Sequence, residues 1–379
     1  MYLLDEFGDM IADQGRFGAY AKAIGRAVRP GDVVVDVGCG PGIFALLACR
    51  AGAKRVYAID AGDVLPLARQ LAAANGFTDR MVFLHADSRQ LTLPERANVL
   101  VSDIRGALPL FAEALPSIED ARNRFLAEGG ILIPQRDTIY ATVLETPDYY
   151  DRRTSPWKNP GGLDLHSALS LVLNGVYKVR SQPQQLLTDP QMFCTLDYTH
   201  PFSSRAAADF CFCITRSGLG HGITLWFETQ LFEDIGFSTA PGSLGTVYGQ
   251  GFLPWLEPVP LAAGQHVEIA LHADPVGGDY IWRWDTKIAA FNGQPERVFH
   301  QSTFEGAQFS SEALRRRSVD HVPILSEAGE AERWLLQAMD GATPLREIAE
   351  AAAQKFPKVF RRPEDALRRA SLLAERFSR

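Results

Sequence analysis

Two rhythms of apolar residues divide the chain. From Ile11 to Val28, apolar and small residues recur at helical spacing, and the run stops at the turn cluster Arg29-Pro30-Gly31-Asp32. The spacing predicts a helix leading into a first strand. Beyond it, β-rich runs alternate with helical ones: VVVDVG at 33–38, a helix to Ala51, VYAID at 56–60, a helix to Asn75, MVFLHAD at 81–87 and NVLVSD at 98–103. Strands separated by helices predict an α/β fold, a mostly parallel sheet covered on both faces.

After Leu132 the period shortens to two. ILIPQRDTIYATVLE, MFCTLDYTH, ADFCFCITR, GITLWFETQLF, HVEIALHAD and DYIWRWDTKIAAF alternate or are rich in aromatics, with turn signals between them. They predict a β-sandwich or barrel over about 135–305. A segment rich in Pro, Gly and Leu interrupts it at 148–190, a length that marks a functional loop or an oligomer contact. From Glu327 the helical period returns: AERWLLQAMDG ends at Gly341, TPLREIAEAAAQKF starts behind a Thr cap, and PEDALRRASLLAERF follows a Pro-containing break. With the strand-like HVPIL before them, these three helices predict a small winged-helix-type module. The expected domains are 1–134, 135–310 with the insertion at 148–190, and 320–379.

Composition narrows the class. A chain of 379 residues, 22% charged and 46% apolar, has ordinary globular usage and room for two or three domains. A net charge of −7 supplies no basic footprint for phosphates, so nucleic acid is not the expected partner. The first ten residues carry acids where a secretory signal carries Lys or Arg, and no apolar run approaches the roughly 18 residues of a membrane span. The cytoplasm is the expected compartment. The five cysteines are odd in number and lack the paired spacing of a zinc site. They read as reduced, mostly buried thiols, and no metal is expected.

The chemistry begins at VVVDVGCGPG, where four β-favouring residues run into Gly38, Gly40 and Gly42 and a helix follows. Glycine allows a sharp turn and close backbone approach to a ligand. A nicotinamide cofactor calls for GxGxxG, and Ile43 stands where its third glycine belongs. The GxGxG spacing, with Asp36 two residues before Gly38, favours S-adenosylmethionine and a Rossmann-like methyltransferase domain. Asp60 ends the second strand, where its carboxylate can accept both ribose hydroxyls; by itself such an Asp is also a turn former. Asp87 and Ser88, after the third strand, are placed to meet the adenine amino group, and Ser102, ending the fourth, is counted with the cofactor residues.

These residues resemble the protein arginine methyltransferases over about 2–305. The leading helix holds the family's Met, Asp and Arg as Met10, Asp13 and Arg16. The resemblance implies that Arg16 pairs with the cofactor carboxylate. FCTLDY, HGITLWFE, FSTAP and AAGQHVEIAL resemble the family's barrel, and 148–190 occupies the place of its dimerisation arm, which implies a homodimer. The C-terminal helices resemble, more weakly, the peptide-binding domain of pyrroloquinoline quinone biosynthesis, which implies peptide binding by 320–379.

The acceptor loop departs from the family. Two glutamates of the family grip the substrate guanidinium; here SDIRGALPLFAEALP places Asp103 at the first and Ala112 at the second, with Glu113 one residue on. Asp103 and Glu113 are the candidate catalytic carboxylates. Arg105 adds a positive charge that would repel a cationic acceptor, and the family's Thr-His-Trp is Thr246-Val247-Tyr248. The leading reading is methyl transfer from S-adenosylmethionine to an arginine or another nitrogen or oxygen of a protein or peptide, leaving S-adenosylhomocysteine. A small natural product as acceptor is the alternative within the enzyme class. A catalytically weak cofactor-binding scaffold for a partner protein is the alternative outside it.

Overall fold

In a computed structural model, described for residues 3–378 apart from 244, 294, 308, 309 and 317, the first helical run is two helices, α1 (Leu4–Ala12) and α2 (Gln14–Ala27). Asp13 makes the break. Its backbone leaves the helical region and its side chain accepts from the Arg16 N–H, capping α2.

Then come β1 (Val33–Val37), α3 (Ile43–Arg50), β2 (Arg55–Asp60), α4 (Leu65–Ala74), β3 (Met81–His85), β4 (Ala97–Ser102), α5 (Ala114–Phe125) and β5 (Leu126–Ile133). The five strands form a parallel sheet in the order β3-β2-β1-β4-β5, with Val35 paired to Tyr57 on one side and Leu100 on the other. All five residues of β1 are buried, as a central strand covered on both faces requires.

The period-two region gives β6 (Arg136–Leu144), α6 (Pro147–Thr154), α7 (His166–Leu173), β7 (Tyr177–Val179), β8 (Gln191–Asp197), β9 (Ala206–Cys213), β10 (Gly218–Phe232), β11 (Ile235–Ser238), β12 (Gln250–Leu261), β13 (His266–Val276), β14 (Asp279–Ile288) and β15 (Arg297–Ser302). One antiparallel sheet runs β7-β12-β10-β6-β8, with β11 on β10; the other runs β15-β14-β13-β9. Rings join them: Phe193 of β8 packs on Phe210 of β9 and Trp282 of β14. The insertion is folded rather than loose. Its Tyr150 hydroxyl donates to the Trp255 carbonyl at 3.0 Å, and Tyr150, Leu173 and Val179 bury themselves against Phe252.

Both sheet systems belong to one compact unit, residues 1–308, and residues 309–379 form a second. The second holds α8 (Ser311–Arg316), α9 (Glu327–Gln337), α10 (Leu345–Lys355) and α11 (Pro363–Phe377) around Leu335, Ile348, Ala352, Ala370 and Leu373. HVPIL is unpaired coil, so no wing strand forms among the described residues. The expected Thr cap is also displaced: Pro344 precedes α10, and the Thr343 hydroxyl bonds back to Asp340. Of the five free thiols only Cys39 and Cys49 are buried; Cys211 and Cys213 occupy outward positions of β9 and are exposed, which corrects the expectation of mostly buried cysteines. No helix among the described residues is long and apolar enough to cross a membrane.

Candidate functional site

A cleft of about 960 Å³ opens at the carboxyl ends of β1, β2 and β4, where open α/β sheets bind ligands. Its floor is the turn after β1. Gly38 and Gly40 both have positive φ, 72° and 52°. A Cβ on Gly38 would stand 2.2 Å from the Ile104 side chain, and one on Gly40 2.9 Å from the Phe7 ring. The glycines are therefore required by close packing as well as by backbone angle.

Asp60, at the end of β2, faces this turn. One carboxylate oxygen accepts from the Gly40 N–H at 2.8 Å and the other from the Gly62 N–H at 2.7 Å. The carboxylate is held at the cleft wall by backbone donors, with lone pairs left for a ligand's hydroxyls.

The opposite wall is a buried ionic network. Asp103 follows β4, and Arg16 donates from Nε to its Oδ2 at 2.5 Å. The Tyr248 hydroxyl donates to Oδ1 at 2.5 Å, and Arg105 reaches Oδ1 from Nε and Nη2 at 3.1 and 3.0 Å. Arg105 also donates to both oxygens of Asp137, to the Thr229 hydroxyl and to the Tyr20 hydroxyl. The rings of Phe227, Phe237, Tyr248 and Tyr20 surround its guanidinium. Burial opposes the charge on Asp103, but Arg16, then Arg105 and the Tyr248 hydroxyl outweigh it and hold the carboxyl below the ordinary Asp range. Burial and the neighbouring carboxylate push the Tyr248 phenol upward.

Sequence reasoning assembles only part of this site. Arg16, Gly38, Gly40, Asp60 and Asp103 line the cleft together. The remaining expected residues are turned elsewhere. Asp36 is 1% exposed and accepts from the Ala45 N–H at 3.0 Å, bracing the start of α3. Gly42 lies behind the turn, its α-carbon facing Ala68 of α4. Asp87 caps the short turn at 88–90 and pairs with Arg89, while Ser88 is buried and its carbonyl accepts from Arg124. Ser102 donates to the Val37 carbonyl, fastening β4 to β1.

Glu113 departs furthest from its expected role. Ala112 takes a left-handed φ of 43°, and Glu113 beyond it turns outward to pair with Arg89 at 2.6 Å. It joins neither Asp103 nor the cleft lining. Arg105, read as a charge facing the acceptor, is instead neutralised internally by Asp103 and Asp137. Asp137 and Tyr20 were missed as members of the network. The available signal was an acid at an inward position of an alternating apolar strand, in RDTIYATVL.

Residues 21–145 match the family of the ribosomal protein L11 methyltransferase (PrmA), and residues 135–284 match the arginine methyltransferase oligomerization subdomain. The class is thus a methyltransferase domain joined to an oligomerization-type β domain. Among curated relatives, the probable protein arginine N-methyltransferase 6 of Arabidopsis thaliana is 31% identical over 59% of this chain and 53% of its own. Protein arginine N-methyltransferase 1 of Dictyostelium discoideum is 26% identical over 70% of this chain and 81% of its own. The chain thus spans about half the length of the first and most of the second. In both regions this chain is similar to the protein arginine methyltransferases.

Solved structures agree on the fold. The Trypanosoma brucei PRMT1 enzyme-prozyme heterotetrameric complex with AdoHcy superposes with a TM-score of 0.70 at 20% identity, covering 78% of this chain and 96% of that one. Arabidopsis thaliana protein arginine methyltransferase 10 gives 0.69 at 21% identity, covering 79% and 97%.

Proposed function

We propose that this chain is an S-adenosylmethionine-dependent methyltransferase acting on a nitrogen or oxygen acceptor of a protein or peptide; the names of its relatives point to arginine. The observation that carries the reading is the convergence of the Gly38–Gly40 turn, the Asp60 carboxylate and the Arg16 guanidinium in one cleft. Gly38 and Gly40 admit close backbone approach, Asp60 accepts from the two ribose hydroxyls, and Arg16 retains terminal N–H donors beyond those given to Asp103 and Met10 for the cofactor's carboxylate. Asp36, Gly42 and Ser102 act one layer behind by fixing the turn and the strand ends. The cofactor, when bound, supplies a methyl group already activated on a sulfonium, so the protein's tasks are alignment and exclusion of water.

Asp103 is the positioning carboxylate of this site, because it holds Arg16 on one oxygen and Tyr248 on the other. We assign homodimer formation to the 148–190 segment, supported by the oligomerization-subdomain match that includes it and by the exposed Leu163. Peptide holding is assigned to the C-terminal helices, and the cytoplasm is the compartment that suits free thiols.

Calorimetry with S-adenosylmethionine and S-adenosylhomocysteine tests the cofactor assignment, and transfer of a labelled methyl to peptides tests the activity. Binding with transfer supports the reading, and absence of binding refutes it. A second reading, a cofactor-binding scaffold for a partner protein, is favoured by the outward position of Glu113. Binding without transfer to any acceptor supports that alternative.

A further inference from the structure

The two oxygens of Asp103 are used differently. Oδ2 belongs to Arg16, whose Nε and Nη2 both lie 2.5 Å from it. Oδ1 accepts two N–H groups of Arg105, at 3.1 and 3.0 Å, and the Tyr248 hydroxyl at 2.5 Å. A carboxylate has about four lone-pair sites over its two oxygens, so Oδ1 is fully occupied. An N–H group arriving from the cleft finds no place on it while all of these donors stay.

The donors are not equally replaceable. Arg105 also serves Asp137, Thr229 and Tyr20, and its side chain is 1% exposed. Arg16 is a charged donor that grips Oδ2 through two nitrogens. Tyr248 is the neutral one. It lines the cleft with Asp103, and its hydroxyl donates to Asp103 while accepting a longer bond, 3.1 Å, from Arg16 Nε. The preceding residue is pinned on both sides, because Asp13 accepts from the Val247 N–H and Lys178 donates to the Val247 carbonyl. Phe227 and Phe237 pack on the Tyr248 ring. Backbone and ring together hold the hydroxyl on Asp103 as an internal occupant.

The surrounding charge suits a cationic visitor. The described lining of the cleft carries six carboxylates against four cations, and the exposed Glu6 and Asp9 of α1 are among the six. Burial and Arg180 lower the proton affinity of Lys178, and Asp9 and Glu6 oppose them, so the charge of these acids is felt across the cleft. A positively charged acceptor is drawn in, and there it meets a carboxylate whose last lone pair is filled by a phenol. A guanidinium N–H on the same oxygen brings a charge as well as a hydrogen bond, which the phenol does not.

We infer that the Tyr248 hydroxyl occupies the place on Asp103 that the acceptor's N–H takes, and so sets the affinity for a cationic acceptor. The inference rests on the methyltransferase reading above and assigns a specificity-determining residue to its acceptor side. Tyr248 acts by competing for Oδ1. Removing its hydroxyl while keeping its ring leaves a lone pair of Oδ1 directed at the space the phenol oxygen filled, with the pairs to Arg16 and Arg105 untouched.

The test is calorimetric and uses the full chain saturated with S-adenosylhomocysteine. It compares a peptide rich in Arg and Gly with one of equal length in which Ala replaces every Arg. Tyr248→Phe is expected to bind the Arg peptide about fivefold or more tightly than the unaltered protein does, the value of one hydrogen bond, with no gain for the Ala peptide. A merely structural role of the hydroxyl predicts weaker binding instead. Equal or weaker binding of the Arg peptide by the variant overturns the inference, as does its failure to bind either protein or an equal gain for the Ala peptide. Loss of S-adenosylhomocysteine binding in the variant alone also overturns it, because the hydroxyl would then serve the cofactor side. Failure of the unaltered protein to bind S-adenosylhomocysteine strikes the methyltransferase reading itself and is read separately, in the titration that precedes the peptide.

Discussion

Arg105 Nη1 lies 2.8 and 3.0 Å from the two oxygens of Asp137, and the two side chains are 1% and 0% exposed. The pair fastens the segment after β4, in the parallel sheet, to β6, in the first antiparallel sheet. The Tyr198 hydroxyl donates to Asp137 at 2.6 Å, so the carboxylate is fully served. Removing Arg105 leaves the Asp137 carboxylate buried without a counterion, and removing Asp137 leaves Arg105 with Asp103 alone; breaking a buried pair costs about 3–5 kcal/mol. Asp137→Ala and Arg105→Met are each expected to destabilise the large unit by that order, and Arg105→Met/Asp137→Leu by clearly less than the sum. Urea unfolding of the four proteins measures the coupling, and additive costs would exclude it.

Asp60→Ala is expected to weaken S-adenosylmethionine binding by about tenfold or more in calorimetry, roughly the value of a charge-assisted hydrogen bond. The Gly40 and Gly62 N–H groups lose their acceptor in the same variant, so the turn itself loosens. Asp103→Ala acts differently. Because Asp103 holds Arg16, the variant is expected to lower both affinity and turnover, while Tyr248→Phe, which leaves the Arg16 pair in place, spares affinity. Equal affinity in Asp60→Ala and the unaltered protein would remove Asp60 from the ribose site.

The parallel sheet was legible because its signals are local. VVVDV is apolar enough to be a strand buried on both faces, and the glycines after it announce a tight turn. Arg16 and Asp103 were legible singly through the family pattern, but their contact joins residues 87 apart in sequence and has no local signature. Glu113 was misplaced because one backbone choice, the left-handed Ala112, decides whether the side chain faces the cleft or the solvent. HVPIL has β-favouring composition without a neighbouring strand to pair with, and propensity alone does not make a strand. Ser88 and Asp87 illustrate the same limit: their position after β3 was readable, whereas the turn that points them at Arg89 and Arg124 was not.

Leu335 lies on α9, fully buried among Ile348, Ala352 and Ala370 of the second unit. Leu335→Ala removes buried methyl groups and opens a cavity, at a cost of about 2–5 kcal/mol. The unit has its own core, so the expected outcome is a lowered transition for that module with S-adenosylmethionine affinity unchanged. Scanning calorimetry beside binding calorimetry checks both; a parallel fall in affinity would contradict the separation.

Asp36 gives a pH signature of its own. Burial beneath the glycine turn outweighs the Ala45 N–H that favours its charge, and raises the carboxyl from 3.8 to about 7. Above pH 4 the unfolded chain has released this proton, while the folded chain keeps it until about pH 7. The folded state therefore binds more protons across that window, and stability falls as pH rises through it, then levels off. Asp103 has the opposite sign: its depressed value contributes stability present above its unfolded range and lost at lower pH, outside the Asp36 window. Asp36→Asn keeps an oxygen for the Ala45 N–H and removes the titration. Its unfolding free energy is expected to match that of the unaltered protein near pH 4 and to exceed it by about 1–3 kcal/mol at pH 8. Subtracting the two urea-unfolding profiles cancels every other titrating group. A flat difference from pH 4 to 8 would show that Asp36 is ionised in the folded protein throughout, and that the carboxylate beneath the turn is stabilised by more than one backbone N–H.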